Sequence, residues 1–138
     1  MADLTITPAN TLSVSGAVVV TEQGKAGVAV TAGQVVYLDP TDGLLKLADC
    51  NSATAAARSP RGIALHAAAA NQPLMIQRSG PLTLGATLAA GVAYYLSGTP
   101  GGIRPVADNT TGDYPVIVGI AASTTVLNVA FQEAGVAL

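Results

Sequence analysis

The stretch AGQVVYL at residues 32–38 returns as AGVAYYL at residues 90–96. The second copy starts 58 residues after the first (90 − 32). A repeat constrains the fold more than any single motif, because both copies must form the same local structure. The match extends both ways. Gly27 aligns with Gly85, Ala32-Gly33 with Ala90-Gly91, and Tyr37-Leu38 with Tyr95-Leu96. Two turn-rich stretches follow, DPTDG (39–43) and SGTPGG (97–102), the second read as one residue longer. On that reading Gly43-Leu44 aligns with Gly102-Ile103, and Leu47-Ala48-Asp49 with Val106-Ala107-Asp108. RGIA (61–64) then resembles VGIA (118–121).

The repeated pieces have a mechanical meaning. Ala-Gly before an apolar run marks a tight turn into a strand. QVVYL and VAYYL are rich in β-branched and aromatic residues, which suit strands. The Pro, Asp, Thr and Gly between them supply turn chemistry. LLKLAD and IRPVAD then read as return strands, so each unit opens with a hairpin. Pro105 places the second return strand at a sheet edge, or makes it start late. Further strands are expected at LTIT (4–7), SVSGAVVVT (13–21, with a bulge at Gly16), GVAVT (27–31), GIALHA (62–67), PLMIQRS (73–79), PLTLG (81–85), YPVIVGIAA (114–122) and TVLNVAFQ (125–132). ATAAAR (53–58) fits one helical turn, ended by Ser59-Pro60. No segment of helical period reaches 12 residues. The expectation is one all-β domain over residues 1–138, a jelly-roll-like sandwich or small barrel. Two similar β units, about 27–84 and 85–138, could compose it, packed face to face, with residues 1–12 as a candidate extended arm.

Charge decides the next step. Charged residues make up 10% of the chain and hydrophobic residues 50%, against about 25% charged in an ordinary soluble domain. A surface this poor in charge is expected to lie against other protein. The net charge of −2 attracts neither phosphate backbones nor anionic lipid, so no nucleic-acid or membrane partner is expected. MADLTITPAN has no basic region or long apolar run and does not read as a signal peptide. Apolar runs stay well below the roughly 18 residues of a membrane span. Cys50 is the only cysteine. It reads as a free thiol in a reducing compartment, with an intermolecular bridge as the other option.

Catalytic groups are sparse. His66 is the only histidine and sits in an apolar strand. One His and one Cys make no zinc cluster. Asp39, Asp42, Asp49, Asp108 and Asp113 fall in turns, where carboxylates cap backbone groups. Asp39-Pro-Thr-Asp42-Gly43 lacks the alternating acids and closing Glu of a calcium loop. No nucleophile elbow or P-loop is present. Arg58 and Arg61 flank Ser59-Pro60, either as a solvated loop or as ion-pair donors to a partner. Tyr94 and Tyr95 should point to opposite faces of one strand, with one of them in the core. No enzyme activity, metal or cofactor is expected.

The run TAGQVVYLDPTDGLLKLAD, then RGIAL with its Ala-rich tail, then GPLTLGATLAAGVAYYL and IVGIAASTTVL, resembles the small capsid decoration (cement) proteins of tailed bacteriophages. The resemblance spans about residues 5–135. It implies an all-β virion protein on the outer face of an icosahedral head built from a major capsid protein of the HK97 type. It implies dimers or trimers at symmetry positions, assembled in the host cytoplasm, holding the shell against packaged DNA. The resemblance brings no catalytic motif. Alternatives are another phage structural β module, such as a head-fibre base or a tail or baseplate accessory protein, and a small-ligand-binding β domain, against which the lack of Trp and of clustered polar anchors speaks. In the N-terminal segment Leu4 and Ile6 alternate with Thr5 and Thr7, and Pro8 breaks the run. Leu4, Ile6 and Pro8 are therefore the candidate shell contacts, through an arm that adds to a neighbour's sheet edge. The other reading of the segment is a first strand of the chain's own sheet.

Overall fold

The computed structural model describes residues 3–8, 11–14, 18–105 and 111–137. The expected bulge at Gly16 and the segment Val106-Ala107-Asp108 lie outside the described residues. The chain is all-β, a strongly curled antiparallel sheet that forms a half-barrel. Among the described residues it has ten strands: β1 (Leu12–Ser13), β2 (Val20–Lys25), β3 (Val35–Leu38), β4 (Leu45–Leu47), β5 (Gly62–Ala64), β6 (Pro73–Thr83), β7 (Ala93–Leu96), β8 (Ile103–Pro105), β9 (Val116–Ala121) and β10 (Val126–Glu133). Residues Ala55–Arg58 form the expected single helical turn, as 3-10 helix. PLMIQRS and PLTLG are one continuous strand, β6. LTIT and GVAVT do not form strands; GVAVT bends at Gly27 and Val28 and is held by a bridge from Val30 to Ala68.

The hydrogen-bonded order is β4-β3-β5-β6-β10-β9-β7-β8, with β1 and β2 also on β6. A strand residue has one partner on each edge. Ile76 faces Glu22 of β2 and Ala64 of β5, whereas Ser79 faces Val20 of β2 and Ala130 of β10. Hence β5 and β10 share one edge of β6, and β2 and β1 share the other. The first half of β6 completes the sheet β4-β3-β5-β6-β2. Its second half completes β8-β7-β9-β10-β6, with β1 added outside. The two units have one topology and are fused through a strand that belongs to both. They are joined along a ladder as well as face to face, because β6 runs through both sheets without a break.

The passage of β6 from one sheet to the other runs through Gly80, at φ +99°, and Pro81. A side chain at Gly80 would strike the Val18 carbonyl at 2.6 Å. Gln77 clamps this passage. It is fully buried, and its Nε2 donates to the carbonyls of Gly80 at 3.0 Å and Pro81 at 3.1 Å. Its Oε1 accepts the Ser13 hydroxyl at 2.5 Å.

Equivalent ladders repeat in detail. Leu38 pairs with Leu45, and Leu96 with Ile103. The offset is therefore still 58 in the return strands (103 − 45). The two turns are equal in length, and the extra residue expected in SGTPGG is not there. Gly43 aligns with Gly101, not Gly102, and both have φ near +75° (+72° and +78°). In both turns a side chain receives the same backbone donor: Asp39 Oδ1 takes the Thr41 N–H and Ser97 Oγ takes the Thr99 N–H. Pro105 closes β8 at the edge of the sheet order, as its missing N–H requires.

The Gly-Ile-Ala repeat has a steric cause. A Cβ on Gly62 would lie 2.8 Å from the Gln77 carbonyl oxygen, and one on Gly119 would collide with the equivalent carbonyl of Asn128. Neighbouring strands approach too closely there for any other residue.

The main core lies between the sheets. Val35, Tyr37 and Ile63 of the first meet Leu82, Tyr94, Leu96, Ile103, Val118 and Leu127 of the second. Tyr94 is buried and Tyr95 half-buried, so the two tyrosines divide between faces as their adjacency demands. The other face of the first sheet has its own smaller core, Val36, Leu45, Ala64, Leu74 and Ile76, roofed by Ala26, Val30 and Ala68.

Gly119→Ala should lower stability by about 1–3 kcal/mol through overpacking against Asn128, read as a reduced urea midpoint at unchanged slope. Gln77→Leu should cost about 1–3 kcal/mol, because it removes the side-chain bonds of a fully buried amide to the Gly80 and Pro81 carbonyls and to the Ser13 hydroxyl. A wild-type melting curve for Gln77→Leu would show that the clamp contributes nothing.

Candidate functional site

The three proposed shell contacts sit on the chain's own body. The Leu4 N–H donates to the Ile103 carbonyl at 2.8 Å and the Thr7 N–H to Gly85 at 2.8 Å. Asp3 accepts the Ser97 hydroxyl at 2.7 Å. Leu4 and Ile6 are half-buried against the main core, and Ile6 fills the space above Gly33. Thr5, Thr7 and Pro8 are exposed. The alternation is thus used internally. Deleting this segment would strip apolar cover from the core.

Charged groups pair within the chain. Lys46 Nζ bridges Asp39 at 2.8 Å and Asp42 at 2.9 Å. Arg61 holds Glu22 through two bonds, at 2.9 and 2.8 Å, with Arg78 at 3.8 Å. Arg58 lies 3.6 Å from the ring centre of Tyr114. Arg104 pairs with the buried Asp113 and approaches the Cys50 sulfur at 3.2 Å. Burial pushes the Cys50 thiol up to about 11. The thiol is 1% exposed, which suits neither nucleophilic chemistry nor a bridge to another chain. His66 is exposed, with Nε2 accepting the Met75 N–H at 3.0 Å and Nδ1 bonded to the Ala67 carbonyl at 2.9 Å, so both ring nitrogens are occupied. Desolvation raises the Asp49 carboxyl, whose Oδ1 has no partner. Among the described residues no three His, Cys, Asp or Glu side chains gather to hold a metal. No described helix is long and apolar enough to cross a membrane.

What remains open is a sheet face. In the first unit the cross-strand row Val35–Ile63–Gln77 is fully buried, because the second sheet packs on it. The equivalent row of the second unit is Ala93–Ile120–Asn128, continuing to Pro81. Here Ile120 is 53% exposed and Asn128 is exposed. The neighbouring row Leu12–Thr83–Val126 has Leu12 at 63%. On the other side, Val20, Ser79 and Ala130 form a third row, with Val20 at 48%. No side chain in these three rows carries a charge. A shallow groove of about 560 Å³ runs beside Leu12, Thr83 and Thr125. Comparison with known protein families, with characterised proteins and with solved structures finds no match to this chain.

The sequence carried one signal of this face. β9, Val-Ile-Val-Gly-Ile-Ala, is apolar on both sides, the pattern of a strand covered on two faces. In the chain by itself only one face is covered.

The paired charges predict a pH response. Hydrogen bonds from Lys46 and from Thr41 pull the Asp39 carboxyl from 3.8 down to about 2. Its folded value lies below its unfolded one, so its contribution to stability is complete above about pH 4 and is lost as pH falls toward 2. Carboxyl-resolved NMR should place the Asp39 midpoint near 2, and Lys46→Met should move it back toward 3.8.

Proposed function

We propose that this protein is a structural component of a tailed-phage particle that binds the outside of the head and ties neighbouring major capsid proteins of the HK97 type together. The observation that carries the reading is the open sheet face, whose three described rows hold no charged side chain. Such a surface is suited to burial against protein rather than to steering a charged ligand. The all-β frame, held by a strand common to both sheets, offers a stiff body for bridging two capsomers. Bridging would act through effective concentration, since the first contact makes the second intramolecular. Among the described residues, nothing in the arrangement of His66, Cys50 or the aspartates assembles a nucleophile with a base.

Counting protein copies in purified particles that carry this gene tests the reading. Hundreds of copies in simple ratio to the major capsid protein are expected. A dozen copies would instead mark a tail or vertex part, and absence from the particle would overturn the structural reading.

A further inference from the structure

We propose that His66 is a pH-sensitive latch, which ties the root of the β5–β6 connection to β6 only while its imidazole is neutral. Leu65 and Met75 extend the β5–β6 ladder by one position, with the Leu65 N–H donating to the Met75 carbonyl at 3.0 Å. In a regular antiparallel pair the Met75 N–H would return the bond to the Leu65 carbonyl. It goes instead to Nε2 of His66, at 3.0 Å. A backbone N–H is always the donor, so Nε2 must offer its lone pair. The ring proton then sits on Nδ1, which donates to the Ala67 carbonyl at 2.9 Å. A second proton would occupy Nε2, set two donors against each other and break the Met75 bond.

The place of the latch gives that proton a structural consequence. The connection behind it roofs the smaller core through Ala68. Its far part is tied to the segment before β3 by backbone bonds alone. Val30 and Ala68 exchange bonds at 2.8 and 2.9 Å, the Asn71 N–H donates to the Ala26 carbonyl at 2.7 Å, and the Ala26 N–H donates to the Gln72 carbonyl at 2.9 Å. Its near end meets β6 at the bond from Met75 to His66. His66 is exposed, so a proton reaches it without unfolding. It is also the only ionisable side chain between Arg61 and Arg78. Of the charged groups on the strands beside it, Glu22 is held by Arg61 and Arg78, and Lys25 of β2 stands opposite Pro73. Among the described residues no carboxylate is bonded to the ring, so the charged imidazole has no acid to replace the bond it loses. An imidazole is the side chain that ordinarily gains its proton between about pH 8 and 5. The latch is closed at the upper end of that window and open at the lower end.

The inference does not rest on the proposed function, because it is read on the purified full chain. His66 ring-nitrogen shifts and amide hydrogen exchange are followed from about pH 8 to 5, with exchange corrected for its intrinsic pH dependence. At the upper end the ring should carry its proton on Nδ1. As His66 gains charge, protection of the Met75 amide should fall roughly two- to tenfold, the factor that one net hydrogen bond supplies, while the β10 amides keep theirs. His66→Ala should hold the Met75 amide at its low-pH protection throughout. If that variant fails to fold, the wild-type titration decides alone. Met75 protection that stays constant through the His66 titration overturns the latch, and so does a neutral ring with its proton on Nε2. An equal fall at Met75 and in β10 overturns it too, since protonation would then weaken the whole fold rather than unfasten one connection.

Discussion

Everything in this structure hangs on β6 being one strand in two sheets. Its first half pairs with β5 and its second half with β10, on the same edge. Where it passes from one sheet to the other, the Gly80 and Pro81 carbonyls are fastened by a side chain as well as by the ladder. The Gln77 side chain donates to both, and the Ser13 hydroxyl completes the amide. Gly80 and Pro81 fit this passage for opposite reasons. One has no side chain to strike the Val18 carbonyl. The other has no N–H that would need a ladder partner.

The fusion explains the unequal fates of two similar units. The second sheet covers one face of the first, and a short roof of Ala26, Val30 and Ala68 covers the other. The β5–β6 connection is longer than its β9–β10 counterpart, and Ala68 in that connection bridges to Val30. The second unit has no third unit behind it. Its outer rows stay open, and that asymmetry singles out Ile120, Leu12 and Val20 as exposed apolar residues with a common position.

The low charge of the chain takes on a more specific meaning beside this geometry. Lys46, Arg61, Arg78 and Arg104 each have acidic partners, and Arg58 stacks on Tyr114. These pairs fasten turns and loops to the sheets, and no charged side chain falls on the three open rows. The Leu4–Ile6 alternation shows the reverse case, an apolar pattern that suggests an external contact but packs on the chain's own core.

Strand content, the hairpin turns, the edge position of Pro105 and the division of Tyr94 and Tyr95 between faces were legible from the residues alone. Each depends on local rules: period-two alternation, glycine in tight turns, proline without an N–H. The Gly-Ile-Ala repeat was visible, but its cause was not. The clash at Gly62 and Gly119 comes from a carbonyl on the adjacent strand, at Gln77 and Asn128. The alignment of Gly43 was one residue off, because equal spacing of similar letters cannot fix a register that cross-strand pairs determine. Ile63 and Ile120 sit in nearly identical sequence, yet one is fully buried and the other half open. Sequence alone determined that both would lie on strands, each after a glycine. Only the tertiary structure decided which of them found a second sheet to cover it, because cover depends on what packs from far along the chain.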